Sequence, residues 1–564
     1  MNTSSTHLDV HLLETIPIAS ELNETAAIVE GVRGRYNTFE FVLRLSQPIH
    51  ERLAALPNGI VSSSEITLED AEAFSTYLHE TIHWWQHVGS TYGLVLSLTY
   101  PAEAHANYEL LKRLAEQVGF KKSIRQLASM LDGARTPETP AGLANIIINN
   151  QFDFDAFRRI TFSPGRRRAV AKDPMFECIG HAMRVTYGNV VHLLSTVADP
   201  TYKVLPDPAS WGEAIVALRT IGHEGYYYGS PVGLYAIGAL QIMEGQARFA
   251  QIQYLHFASG KRFDWDAFRS LGLLSSGVYR DAFDLFLTQA NLDWPDRIDD
   301  PVVALFLLIC DMAINPGAGF PLSVRYPQAL IEDVDPGARF VFLATAVRTF
   351  CPEVASSIRT YSRAEYEEVS EKLAGALRID SPLTIARTVA SWPSSSQGFA
   401  ALALEHASFD FHPTNLPIRV MLSHFVAFMT DKATRPEFFC WPGAWMAGER
   451  VSTMEAGLFE KHAALFVDKP GDSGVFPRFI AGKNEALVQS TFEGFFTSVA
   501  AYELTRQWIV DPGPFHYHYN WLVEKANEDE LAAFGARAFG RIYGVSPHDV
   551  EILDTTATSA SLEG

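Results

Sequence analysis

The rhythm of apolar and polar positions changes near residue 65. Before it, Ala26 to Glu30 and Thr38 to Leu45 are rich in β-branched and aromatic side chains, with Gly31, Gly34 and Asn37 between them. That pattern predicts a β hairpin. After it, apolar residues recur at helical spacing almost throughout, as in Leu110 to Val118, Phe176 to Val197, Val302 to Ile314, Gly337 to Thr349 and Ala364 to Leu377. Ser391 to Gly398 is a polar interruption in an otherwise apolar region, which places a boundary there. Residues 1–390 then form one unit, and 391–564 a C-terminal helical region that is either separate or packed into the same domain. An amphipathic run, Asp529 to Tyr543, closes the second block, and the tail beyond Thr555 is small and polar. The expected class is mainly α (α+β): a large helical body with a small N-terminal β element.

One helix carries candidate chemistry. Thr67 and Asp70 have the spacing of a capping box, with Asp in place of the usual Glu, and Gly89-Ser90 supplies a stop. Between them Phe74, Leu78, Ile82 and Trp85 form an apolar stripe. His79 and His83 are four residues apart, so they share a face beside that stripe and can reach one metal ion. Glu80 follows the first histidine directly, where its carboxylate leans toward a metal-held water without being a ligand. This is the logic of His-Glu-x-x-His on a helix: the metal lowers the pKa of the water and the glutamate takes its proton. His87 lies four residues further on and drifts about 40° around the helix relative to His83. That suits a place beside the site, or a complement to the helix dipole.

A catalytic zinc site takes three protein ligands and leaves one position open. Glu244 is the first candidate for the third. Ser230-Pro231 reads as an N-cap followed by Pro at the first helical position, starting a helix that runs to about Phe257 and is closed by Gly260. Glu244 follows the apolar stretch Val232 to Met243. A carboxylate there is costly unless it is paired or metal-bound, and the small residues Gly245 and Ala247 would let a second helix come close. Pairing with Arg248 is the bland alternative. Glu493, in Phe492-Glu493-Gly494, is a second candidate, and His223, Glu224 and Asp311 are others. Just before the candidate ligand helix, Gly222 to Gly229 carries His223, Tyr226 and Tyr228 between glycines. His223 or one of these tyrosines would stabilise an oxyanion opposite the metal; otherwise the segment is an aromatic turn packed on the core.

With these residues in place, His79-Glu80-Thr81-Ile82-His83 and the downstream Glu244-Gly245-Gln246-Ala247 helix resemble the zincin metallopeptidases of the gluzincin type. The resemblance covers these two helices. It implies a zincin-like helix pair, with His79, His83 and Glu244 holding zinc and Glu80 acting as general base.

Composition narrows the partners. The chain has 564 residues, 47% of them hydrophobic and 20% charged, which is ample for a large core and unlike a disordered chain. A net charge of −20 argues against non-specific binding to nucleic acid or anionic membranes. Arg158, Arg159, Arg166, Arg167 and Arg168 form a local exception, read as a solvated loop or as an anion site. Cys178, Cys310, Cys351 and Cys440 are widely spaced and form no CxxC pair, so each reads as a buried free thiol. Met1 to Asp9 has no secretory pattern, and the apolar run Pro301 to Cys310 is too short to span a bilayer; a soluble, cytoplasmic protein is expected. His516 and His518 alternate with Tyr517 and Tyr519 and would face one way if extended. His406 and His412 show no ligand spacing.

The expected function is metal-dependent hydrolysis of an amide in a peptide or protein substrate, with Zn²⁺ as the metal. Two histidines and a carboxylate also make the facial triad of non-haem Fe²⁺ oxygenases, which stands as an alternative. A structural metal in a non-enzymatic protein is another, and it would require a fourth ligand such as His87 or His223.

Overall fold

A computed structural model of the chain describes residues 8–9, 12–13, 42–55, 67–163, 165, 167–233, 235, 237–519, 522–523 and 525–553. About 66% of the chain is helical and 3% is strand, so the mainly α class holds.

The described strands form two small sheets: a two-stranded one pairing Lys121–Lys122 in parallel with Glu551–Ile552, and a three-stranded one. β1 (Val42–Leu43) pairs in parallel with β2 (Phe466–Lys469), which pairs antiparallel with β3 (Asp472–Pro477). The segment Ala26 to Glu30, and the first half of the expected second hairpin strand, lie outside the described residues. The β2–β3 hairpin departs from the helical expectation for this block, and its turn is Lys469-Pro470-Gly471-Asp472. Pro presets φ at the first turn position, and Gly471 takes φ 72° at the second.

The helix predicted from residue 67 is α1 (Leu68–Val88), and its cap forms as the spacing required. Thr67 Oγ1 accepts the Asp70 N–H at 3.2 Å, while Asp70 Oδ2 accepts the Thr67 N–H at 3.3 Å. Gly89 ends the helix where any side chain would meet the Phe428 ring at 2.6 Å. The single apolar stripe understates the burial. The helix is enclosed from Ala71 to Val88 except at Tyr77 and Glu80, which are half-buried. Trp85 lies among Phe428, Phe438, Phe439 and Phe459 and donates its indole N–H to the His462 carbonyl at 2.8 Å.

Against α1 pack α2 (Thr91–Val118), α4 (Ala239–Ala258) and α7 (Leu416–Thr434), with α3 (Pro140–Phe162) on α2 and both α5 (Asp281–Ala290) and α6 (Pro301–Ala313) on α4. Of these, α4 covers α1 most extensively. One apolar core runs from Leu12 to Ala538. It crosses the polar stretch at 391–398, where Trp392 is buried against Phe320, Phe399 and Phe425. No helix among the described residues is long and apolar enough to cross a membrane.

The start of α4 differs from the expectation. Ser230-Pro231 does not begin it; the first helical residue is Ala239, capped by Gly238. Ser230 Oγ instead accepts the Gly225 N–H at 2.6 Å, which fastens the preceding turn rather than a helix end. Close packing also holds the connection: a Cβ on Gly337 would lie 2.1 Å from the Ile237 carbonyl oxygen.

Candidate metal centre

Polar side chains on α1 recur about once per turn although the helix is buried, and most of them meet polar partners on α4. Gln251 Nε2 reaches Ser75 Oγ and Thr76 Oγ1, each at 3.3 Å. Glu244 faces His79 and His83, and Gln86 meets Gln246 and the Met243 carbonyl. Rising numbers on α1 meet falling numbers on α4, so the helices run antiparallel and the ladder fixes their register. A slipped register would strand these groups, at about 1–3 kcal/mol for each buried group left unsatisfied.

His79, His83 and Glu244 converge in the middle of this ladder and are a set of metal-ligating groups within reach of one ion. His79 Nε2 and His83 Nε2 are 3.1 Å apart, and Glu244 Oε2 is 3.6 Å from the first and 3.3 Å from the second. Three points so spaced lie on a circle of radius about 1.9 Å. Zinc–ligand bonds of about 2.0–2.2 Å are slightly longer than that radius, so one ion would reach all three atoms. The residues present therefore fit a divalent transition metal. A closed structural site takes four protein ligands; among the described residues the cluster supplies three, and neither His87 nor His223 joins it.

The second nitrogen of His83 is held. Its Nδ1 lies 2.8 Å from Gln86 Oε1. Gln86 Nε2 in turn lies 2.9 Å from both the Met243 carbonyl oxygen and Gln246 Oε1. A carbonyl oxygen only accepts, so the Gln86 amide nitrogen must face Met243 and its oxygen must face His83.

The electrostatics follow from burial. His79 and Glu244 are fully enclosed, and an unpaired carboxylate there would cost several kcal/mol. Burial alone would push Glu244 up, but the facing imidazoles hold it below the usual carboxylate range. Burial lowers His79 to about 3. His83 goes the other way: burial opposes its charge, but Glu244 and then Glu80 raise it. The carboxylates of Glu244 and Glu80 thus place negative charge around the imidazoles, which favours a cation at this point.

Glu80 is half-buried and lies close enough to act electrostatically on both His83 and Arg248. Arg248 is more than a partner for Glu244. Its guanidinium stacks 4.2 Å from the centre of the Tyr279 ring and donates to Gln251 Oε1 at 2.6 Å. The Tyr279 ring lies 6.1 Å from that of His79. Gly245 brings it there: a methyl at that position would sit 3.3 Å from Ala282 Cβ and 3.4 Å from Phe306 Cζ, so the bare glycine lets α5 approach. The close approach expected beside Glu244 thus occurs, and α5 is the helix that makes it.

Other candidates lie elsewhere. Glu493 is exposed and accepts from Gln489 at 2.9 Å. Asp311 belongs to a buried ion pair with Lys432 and accepts from the Tyr366 hydroxyl at 2.7 Å. A cavity of about 20 Å³, large enough for one water, separates that pair from Gln86 and Gln246. His223 and Tyr226 are not brought to the cluster. Their rings lie 5.6 Å apart, and Tyr226 is buried over Gly180 with its hydroxyl donating to the Pro327 carbonyl at 2.8 Å. Tyr228 and Glu224 are exposed. Tyr226 is thus a core residue of an aromatic turn, and Tyr279 is the tyrosine beside the histidines.

His87 is buried, and that burial lowers it to about 3. Arg158 is not in a solvated loop; it is buried in α3, paired with Glu103 at 3.0 Å. Arg166 lies outside the described residues. His516 and His518 do share a face, with rings stacked 5.5 Å apart. His406 packs on His424 at 4.5 Å, away from His412. All four cysteines are buried and unbridged. Compared with known proteins, the chain matches no family, no curated protein and no solved structure.

Proposed function

We propose that the chain binds one divalent metal, zinc, through His79, His83 and Glu244 and uses it to hydrolyse an amide bond, with a peptide as the substrate class. The observation that carries this reading is the convergence of three ligand atoms at tetrahedral spacing, with Glu80 beside His83 but outside the ligand set. The metal supplies Lewis acidity, lowering the pKa of a water at its open position and polarising the substrate carbonyl. Glu80 takes the proton of that water as its oxygen adds to the carbonyl carbon, then delivers it to the departing amine as the C–N bond breaks. Arg248 lies within electrostatic reach of Glu80, and the Tyr279 ring forms a wall beside His79.

The test is to incubate zinc-loaded protein with a mixture of short peptides and read new amino termini by mass spectrometry. Glu80→Gln should lower cleavage by about 10²–10⁴-fold and leave the metal content intact; cleavage near the wild-type rate removes Glu80 from the mechanism. A non-haem iron centre that activates O₂ is the second reading. Near-complete burial of the ligands favours it, because O₂ reaches an enclosed site more readily than a peptide does. Iron content with O₂-dependent turnover would establish it.

A further inference from the structure

We infer that Gln86 is a positioning residue of the metal centre: by accepting from His83 Nδ1, it turns the bare Nε2 of that ring toward the ion. The inference rests on the metal-binding reading of His79, His83 and Glu244. It is carried by a chain of contacts in which each partner leaves the next a single choice. The Met243 carbonyl can only accept, so the Gln86 amide places its N–H bonds toward α4, one of them on Gln246 Oε1 at 2.9 Å. The Gln86 oxygen is then the atom 2.8 Å from His83 Nδ1, which must carry the hydrogen. In the neutral ring, Nε2 is left with its lone pair, and Nε2 is the nitrogen facing Glu244 and His79.

Two consequences follow. The segment of α4 that supplies the ligand Glu244 also supplies, one residue earlier, the carbonyl that orients the second ligand's ring. Metal affinity therefore depends on the α1–α4 register through Gln86 as well as through the ligands. His79 differs: its Nδ1 is buried and has no hydrogen-bond partner. His83 is then the better oriented of the two imidazoles, and the centre is most sensitive on its side.

The experiment titrates the purified full-length chain with Zn²⁺ against a chromophoric chelator. It compares the wild type with Gln86→Leu and Gln86→Glu and follows the His83 ring by ¹⁵N-histidine spectra at a pH where the ring is neutral. Outer-sphere partners of this kind are worth about 10–100-fold in metal affinity. Gln86→Leu should lose that much and show a mixture of His83 tautomers. Gln86→Glu, which keeps an acceptor on Nδ1, should restore both. A purely structural role for Gln86 would change stability without moving the tautomer, and would not be rescued selectively by Glu. If Gln86→Leu fails to fold, Gln246→Met takes its place, with a weakening in the same direction and smaller. Zinc affinity within twofold of wild type and an unchanged tautomer in Gln86→Leu, or in Gln246→Met where it takes its place, overturn the role of Gln86 alone. A wild-type chain that takes up no zinc overturns the metal reading beneath it.

Discussion

Glu244→Gln isolates the third ligand with almost no change of shape. Glutamine fills the same volume between His79 and His83 and can still accept from an imidazole, so the α1–α4 packing persists. The variant loses the negative charge and a strong metal ligand. Structural zinc sites with four ligands bind with about 10–16 kcal/mol, or about 2.5–4 kcal/mol per ligand, so losing one should weaken affinity by about two to three orders of magnitude. Stability reports the same loss. At free zinc equal to 100 times the wild-type Kd, the wild type gains about 2.7 kcal/mol, while a variant binding at least a hundredfold more weakly gains about 0.4 kcal/mol or less. The assay is chelator-competition titration with zinc, paired with denaturant unfolding with and without the metal. Glu493→Gln is the control, since that side chain is exposed on a distant helix and should leave both readouts unchanged. Zinc affinity of Glu244→Gln within threefold of wild type, or an equal loss in the Glu493 variant, would refute the assignment.

Other outcomes follow from the same contacts. Glu80→Gln should lower hydrolysis by about 10²–10⁴-fold, the usual worth of a general base, with metal content unchanged by elemental analysis. Lys432→Met leaves Asp311 buried without its cation and should cost about 3–5 kcal/mol in urea unfolding. Adding Asp311→Leu should recover part of that loss; a double variant less stable than the single one would contradict it. Asp335 caps the helix Pro336–Thr349, and burial raises it from 3.8 to about 7. Its folded pKa lies above its unfolded one, so its contribution to stability is complete below about pH 4 and is lost as pH rises through about 7. Asp335→Asn keeps the cap and cannot ionise. Relative to wild type it should gain stability from pH 4 to pH 8, by up to about 4 kcal/mol, and parallel pH profiles would contradict this.

Local patterns carried much of the site. Thr67, Asp70 and Gly89 mark the ends of α1 because caps are written in adjacent residues. His79 and His83 share a face because four residues make about one helical turn. Glu244 was legible as a carboxylate too costly to leave unpaired on an apolar helix. Gln86 sits three residues after His83, and the same i, i+3 arithmetic that pairs helical side chains would have found it. Tyr279 could not be read this way, since only the approach of α5 over Gly245 brings it near His79. Tyr226 misled for the same reason in reverse: its glycine-rich setting looked like an active-site loop, whereas Gly180 and Pro327, distant in sequence, hold it in the core. The start of α4 was misplaced because Ser230-Pro231 fits a helix cap and Ser230 closes a turn with Gly225 instead. The β2–β3 hairpin was missed, although Pro470-Gly471 is a local turn signal that could have found it; its parallel pairing with Val42 and Leu43 depends on contacts across more than 400 residues.

The most direct test of the central claim is the metal content of the purified chain after zinc loading and gel filtration, measured by inductively coupled plasma mass spectrometry. About one zinc per chain, lost when His79 and His83 are both replaced by alanine, is the predicted result. A chain that retains no divalent metal, or one whose zinc survives that replacement, would contradict it.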